Sequence, residues 1–271
     1  MTIGVFDSGV GGLWILKQLM AIIPGNNYIY VGDQVHIPYG SRSMEEIRDF
    51  SEGITKFLIK KGCKLIVVAC NTASAASLKY LREKFPGILF VGMEPAIKPA
   101  VQISHTGKVG VLATPATLQG RFYLSLVEKF GGQAEIFENT CDGLVEEIEK
   151  GNFNSKKISK ILDKAISPML DNNIDTIVLG CTHYPFATEI IRGIVGTRVT
   201  VIDPAPAIAK RTKELLRDNS LLEMSKTNGN LEVYTSGDLI KLKDFLDNMF
   251  TRSIKLRSIK WGNNLNLNEI N

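Results

Sequence analysis

Short runs of β-branched and aliphatic residues alternate with helical patterns along almost the whole chain. The runs are TIGVF, NYIYVGD, LIVVAC, ILFVGM, KVGVLAT, AEIFENT, TIVLGC, VTVIDP and LEVYTS. Strands separated by helical stretches cannot pair as hairpins, so the chain is expected to build α/β units with largely parallel sheets. LIVVAC and TIVLGC are apolar almost throughout, which predicts strands covered by helices on both faces.

The clearest helix is expected over residues 43–61. Ser43 and Glu46 have capping-box spacing, Ile47, Phe50, Ile54, Phe57 and Leu58 recur at helical intervals, and Gly62 supplies a stop. A second periodic stretch covers residues 155–170. Each of these helices leads through a short polar turn into a strand that ends in cysteine, LIVVAC before Asn71-Thr72 and TIVLGC before Thr182-His183. IGVFDSGVGGL and VGVLATPATLQG echo each other more faintly. The repetition predicts two pseudo-symmetric, doubly wound domains of mainly parallel sheet, residues 1–97 with 207–271 and residues 98–206. Prolines at 95–99 and 204–206 mark the expected boundaries. From Thr251 onward the polar composition predicts a terminal strand followed by a frayed tail.

Composition narrows the class. With 271 residues, 44% hydrophobic and 22% charged, the chain is an ordinary globular sequence rather than a disordered one. Its net charge of +4 comes from interspersed charges, not a basic stripe, so neither nucleic acid nor a membrane surface is an expected partner. The first residues lack a basic segment followed by an apolar one, and no apolar stretch reaches membrane-spanning length. Cys63, Cys70, Cys141 and Cys181 include no C-x-x-C pair and are too sparse for a disulfide framework. A reducing, cytoplasmic setting is expected, where free thiols are either packing residues or reagents.

In open parallel sheets ligands bind beyond the carboxyl ends of the strands, where free N–H groups of a following helix favour an anion. Cys70 and Cys181 both fall there, with Asn71, Thr72 and Thr182 as hydrogen-bonding neighbours. A thiol of ordinary pKa, about 8.5, yields thiolate when a helix N-terminus or a cation lies near, and thiolate can act as a base. One strand cysteine is ordinarily packing. Two in the same setting point to chemistry, and to one acid–base group on each side of a carbon. Asp7 follows the first strand and either joins this rim or caps the next helix. His183 either serves Cys181 or is a satisfied buried histidine.

Taken together, FDSGVGGL, GD followed by PYG at 38–40, ACNTASA, GCTHYP and YTSGD resemble the glutamate racemase family of the aspartate/glutamate racemase superfamily. The resemblance spans nearly the whole chain. It implies two α/β domains with the substrate in the cleft between them. The implied activity is interconversion of L- and D-glutamate without cofactor or metal, supplying D-glutamate for peptidoglycan and so for cell-wall biogenesis and cell shape. It implies a homodimer as well. Cys70 would take the proton from D-glutamate and Cys181 from L-glutamate, with Asp7 assisting Cys70 and His183 assisting Cys181. Implied substrate contacts are Asp7, Ser8, Tyr39, Gly40, Asn71, Thr72, Thr117 and Thr182. Glu149 in LVEEIEKG matches a further family carboxylate, although Glu146 stands where the family has proline and a solvated helix residue is the alternative. Gln34, Val35, His36 and Trp14 also depart from the family pattern.

Two other classes are open at this level. SGVGG after the first strand could be a nucleotide turn, but Trp14 occupies the place of the third glycine and no P-loop lysine follows. Cys70, Cys181 and His183 could hold a metal, but a closed zinc site needs a fourth ligand.

Overall fold

The nine expected strands and the expected terminal strand all form, and one more follows them. They are β1 (Thr2–Asp7), β2 (Asn27–Gly32), β3 (Leu65–Val68), β4 (Leu89–Gly92), β5 (Lys108–Leu112), β6 (Glu135–Asn139), β7 (Thr176–Leu179), β8 (Thr200–Ile202), β9 (Leu231–Thr235), β10 (Lys255–Trp261) and β11 (Leu267–Ile270). The structure, a computed structural model, describes residues 1–130, 132, 134–223 and 227–270. The chain divides into two compact units, Met1–Met93 with Ala205–Asn271, and Glu94–Pro204.

The first unit carries a seven-stranded sheet in the order β11-β10-β9-β2-β1-β3-β4, and the second a four-stranded sheet in the order β6-β5-β7-β8. All pairings are parallel except β10 with β11. The segment β2-β1-β3-β4 therefore has the same topology as β6-β5-β7-β8, and the sequence echo is a repeat of strand order. The equivalence extends to single hydrogen bonds. Ala69 N donates to Phe6 O at 2.8 Å beyond β3, and Gly180 N donates to Leu112 O at 2.7 Å beyond β7.

Helix Met44–Lys60 shows why these elements form where they do. Ser43 Oγ accepts from Glu46 N at 3.2 Å while Glu46 Oε2 accepts from Ser43 N at 3.0 Å, closing the capping box. Ile47, Ile54 and Leu58 are fully buried, and with Phe50 and Phe57 they join Phe6, Val31, Ile66 and Val68 of the sheet in one core. Lys156–Asp171 in the second unit has the serine half of that cap alone, with Ser155 Oγ accepting from Ile158 N at 3.1 Å. All four residues of β3 and of β7 are buried, as strands covered on both faces require. Among the described residues no helix is long and apolar enough to cross a membrane.

The C-terminus differs from the frayed tail its composition suggested. β10 pairs parallel with β9 and antiparallel with β11, so the last described residues form the outer edge of the large sheet. Ile259 and Leu267 are buried while most of their neighbours are not. A half-solvated edge hairpin has the polar composition that reads as a tail. Gly53 makes the docking possible. A Cβ there would lie 2.6 Å from the Trp261 ring and would strike the Leu265 carbonyl oxygen. Lys61 adds an ion pair to Glu269 at 2.6 Å. Replacing Gly53 by Ala is expected to lower the unfolding free energy by about 1–3 kcal/mol, measured by urea denaturation, because neither the ring nor the backbone carbonyl can retreat freely.

Candidate active site

In the first unit β2 lies on one side of β1 and β3 on the other, so the strand order reverses beside β1. A crevice opens at such a reversal beyond the carboxyl ends of the strands. Asp7 ends β1 and Cys70 follows β3, so the two flank it. Asp7 is fully buried, and its Oδ1 accepts from Gly9 N at 2.8 Å. The next helix, Gly12–Ile22, begins five residues on, behind Gly11. Gly12, the last glycine of SGVGG, serves close packing. A Cβ on Gly12 would lie 2.6 Å from Asp7 Cβ and 3.0 Å from the Tyr30 hydroxyl, which donates to Gly9 O at 2.6 Å.

Cys70 has extended backbone and caps helix Asn71–Lys84, its Sγ accepting from Ala73 N at 3.4 Å and standing 3.9 Å from Ser8 Oγ. The sulfur thus sits at the positive end of a helix dipole, a setting that favours negative charge on the atom. Asn71, next to it, is buried with neither Oδ1 nor Nδ2 hydrogen-bonded. A buried amide without partners is rare and costly, so packing alone does not account for it. Thr72 is buried beside it. Tyr39, in a short 3-10 turn with Gly40, donates to Asp33 Oδ2 at 2.7 Å. Burial, then the charge of Asp33, and then those of Cys70 and Asp7 push its phenol well above the usual range, so it stays a neutral donor.

The second unit repeats the placement with different neighbours. Cys181 follows β7 beside the end of β5, is buried, and has His183 Nδ1 at 3.9 Å from its Sγ. His183 Nε2 meets Glu149 Oε1 at 2.7 Å, so Glu149 is no solvated helix residue. Burial opposes protonation of His183, but the hydrogen bonds and charges of Cys181 and Glu149 outweigh it and hold the imidazole well above its ordinary pKa. The expected helix N-terminus is not directly behind this cysteine. The chain first makes a 3-10 turn over Tyr184–Ala187, and the helix begins at Thr188. Tyr184 is buried and donates to Thr140 O at 2.9 Å, which draws the chain into that turn. Thr182 and Thr117 are buried, and the Thr117 hydroxyl pairs with that of Thr114 at 3.0 Å.

Burial disfavours ionisation of the Cys63 and Cys141 thiols. Burial pushes Cys63 up to about 12, as a packing residue. Cys141 reaches about 12 by burial and then by the charges of Cys181 and Asp142. Among the described residues no group of three or more His, Cys, Asp or Glu is arranged to hold a metal ion.

The family model for Asp/Glu/Hydantoin racemases matches residues 15–212. The chain belongs to that family. It is a racemase, an isomerase by class. It is 44% identical over 234 residues to a glutamate racemase of Clostridium perfringens, covering 86% of this chain and 90% of that one. Among solved structures it resembles glutamate racemase isoform RacE1 of Bacillus anthracis, with a TM-score of 0.86 at 30% identity, covering 96% of this chain and 97% of that one. It also resembles the glutamate racemase of Francisella tularensis in complex with D-glutamate, with a TM-score of 0.81 at 34% identity, covering 94% and 95%.

One residue of this racemase escaped the sequence reading. Asp33 is fully buried beyond β2 and carries Tyr39, yet it drew notice only as part of the GD motif. Its signal is the one that exposed Asp7, a carboxylate at the end of a buried strand. His183 also makes stability depend on pH. Its folded pKa lies above the unfolded value of about 6.5, so its contribution is complete below that pH and fades as pH rises through the folded value. Glu149→Gln is therefore expected to cost about 2 kcal/mol near pH 6, with the deficit shrinking at alkaline pH in urea titrations.

Proposed function

We propose that this racemase interconverts L- and D-glutamate without a cofactor, using Cys70 and Cys181 as acid–base thiols on opposite faces of Cα. The observation that carries the proposal is the equivalence of the two cysteines. Each follows the third strand of the same four-strand repeat, one in each unit, and each is buried beside polar groups. The named activity of the Clostridium perfringens relative and the D-glutamate held by the Francisella tularensis enzyme support glutamate as the substrate.

At the start of a turnover one sulfur is a thiolate and the other a thiol. With D-glutamate, the Cys70 thiolate takes the α-proton and the Cys181 thiol delivers a proton to the other face, leaving L-glutamate and exchanged protonation states. L-glutamate runs the sequence backwards. Asp7 assists at Cys70. The His183 imidazolium, oriented by Glu149, stabilises charge at Cys181 and can return a proton to it. Ser8, Tyr39, Gly40, Asn71, Thr72, Thr117 and Thr182 hold the carboxylates and the ammonium group. The α-proton is only weakly acidic, so the developing carbanion needs fixed dipoles in a site closed to water. The product D-glutamate would serve peptidoglycan synthesis in the cytoplasm, a reducing compartment that suits four free cysteines, with the enzyme acting as a homodimer.

Replacing Cys70 or Cys181 by Ser is expected to reduce racemisation by about 10²–10⁴-fold, followed as loss of optical rotation and as proton–deuteron exchange at Cα in D₂O. A double variant that racemises at the native rate rules out the two-thiol mechanism. Equal turnover of aspartate or a hydantoin would move the substrate elsewhere in the family.

A further inference from the structure

Four donors converge on the buried carboxylate of Asp33. Tyr39 Oη at 2.7 Å and His36 Nδ1 at 2.8 Å meet Oδ2, while Trp261 Nε1 at 2.7 Å and Ser236 Oγ at 2.9 Å meet Oδ1. A carboxylate offers about four lone-pair positions, so each donor fills a separate one. Ionised, it only accepts, which fixes the proton of His36 on Nδ1. The backbone of Asp33 is tied to the site as well, its N donating to Asp7 O at 3.0 Å.

Trp261 comes from the end of β10, two strands beyond β2 in the sheet and 228 residues from Asp33 in sequence. Its ring is held by the missing Cβ of Gly53 and lies 5.7 Å from Phe50 and 5.3 Å from His36. His36 stacks flat on Phe50 with centroids 3.9 Å apart, and Phe50 tilts against Tyr39 at 5.7 Å. Val35 N donates to Ser236 Oγ at 3.1 Å, closing a second tie between the same loop and the end of β9. The 34–40 segment is thus braced by a polar hub on one side and an aromatic stack on the other, and Trp261 belongs to both.

We infer that Trp261 is a positioning residue of the racemase: through Asp33 the C-terminal hairpin fixes the segment that presents Tyr39 and Gly40 to the substrate. The inference rests on the glutamate site proposed above for its kinetic consequence, but not for its structural one.

Trp261→Phe keeps an aromatic ring, though a smaller one, and removes the donor. Glu269→Gln loosens the same hairpin away from Asp33, at the ion pairs with Lys61 and Arg257. Both full-length variants are compared with the parent for melting temperature, steady-state kinetics with glutamate, and amide hydrogen exchange over residues 34–40. Trp261→Phe is expected to raise KM about five- to twenty-fold with kcat within about two-fold, and to speed exchange over 34–40 about ten-fold. Glu269→Gln is expected to lower the melting temperature while leaving KM and that exchange unchanged. Unchanged exchange over 34–40 in Trp261→Phe overturns the inference whatever the kinetics. Equal effects of the two variants also overturn it, since Trp261 would then act through hairpin stability alone. If Trp261→Phe does not fold, Trp261→Leu, which also removes the donor while keeping an apolar side chain, decides by the same two measurements. A parent protein inactive on glutamate would mark failure of the proposed substrate, and the exchange comparison would still decide the role of Trp261.

Discussion

Each unit depends on the reversal of strand order beside its first strand. Parallel pairing of β1 with both β2 and β3 sends the following connections to opposite sides, and the carboxyl ends of β1 and β3 are left uncovered between them. Side chains there meet backbone N–H groups and each other without passing through the core. Asp7 and Cys70 occupy that position in the first unit, and Cys181 occupies the equivalent one in the second. Hydrophobic burial of β3 and β7 holds the frame, and the polar groups lie only where the frame ends.

The two repeats share topology but not chemistry. Around Cys70 the partners are a hydroxyl and a backbone N–H, and the charges of Cys70 and Asp7 both act on the neutral phenol of Tyr39. Around Cys181 there is a buried imidazole braced by Glu149. One sulfur is served by a helix terminus, the other by a side-chain cation. The fold supplied two equivalent places, and local sequence furnished each differently.

What could be read from sequence follows the range of the interactions involved. The helix after Ser43 was readable because its cap and its apolar stripe are local. The cysteine strands were readable because burial on both faces makes them continuously apolar. Glu149 could be reached only through motif resemblance, since nothing in LVEEIEKG distinguishes it from Glu146 or Glu147 until His183 arrives from 34 residues away. The first strand of the C-terminal hairpin was expected, but its second was taken for a tail because an edge element shows half of its residues to water. The hub at Asp33 was missed because its donors come from positions 36, 39, 236 and 261, a set brought together only by the finished sheet.

Asn71 has a selectivity consequence. An amide enclosed by protein and left with both its donor and its acceptor idle penalises an apolar occupant, which would seal those groups away from water for good. A molecule bearing oxygen and nitrogen functions relieves the mismatch on arrival. Discrimination of this kind is steep, because a cavity made to exchange hydrogen bonds rejects lookalikes that lack them far more strongly than a greasy pocket rejects an extra methylene. In the reaction proposed above, the crevice beside Cys70 would therefore screen its visitors by polarity before any proton moves.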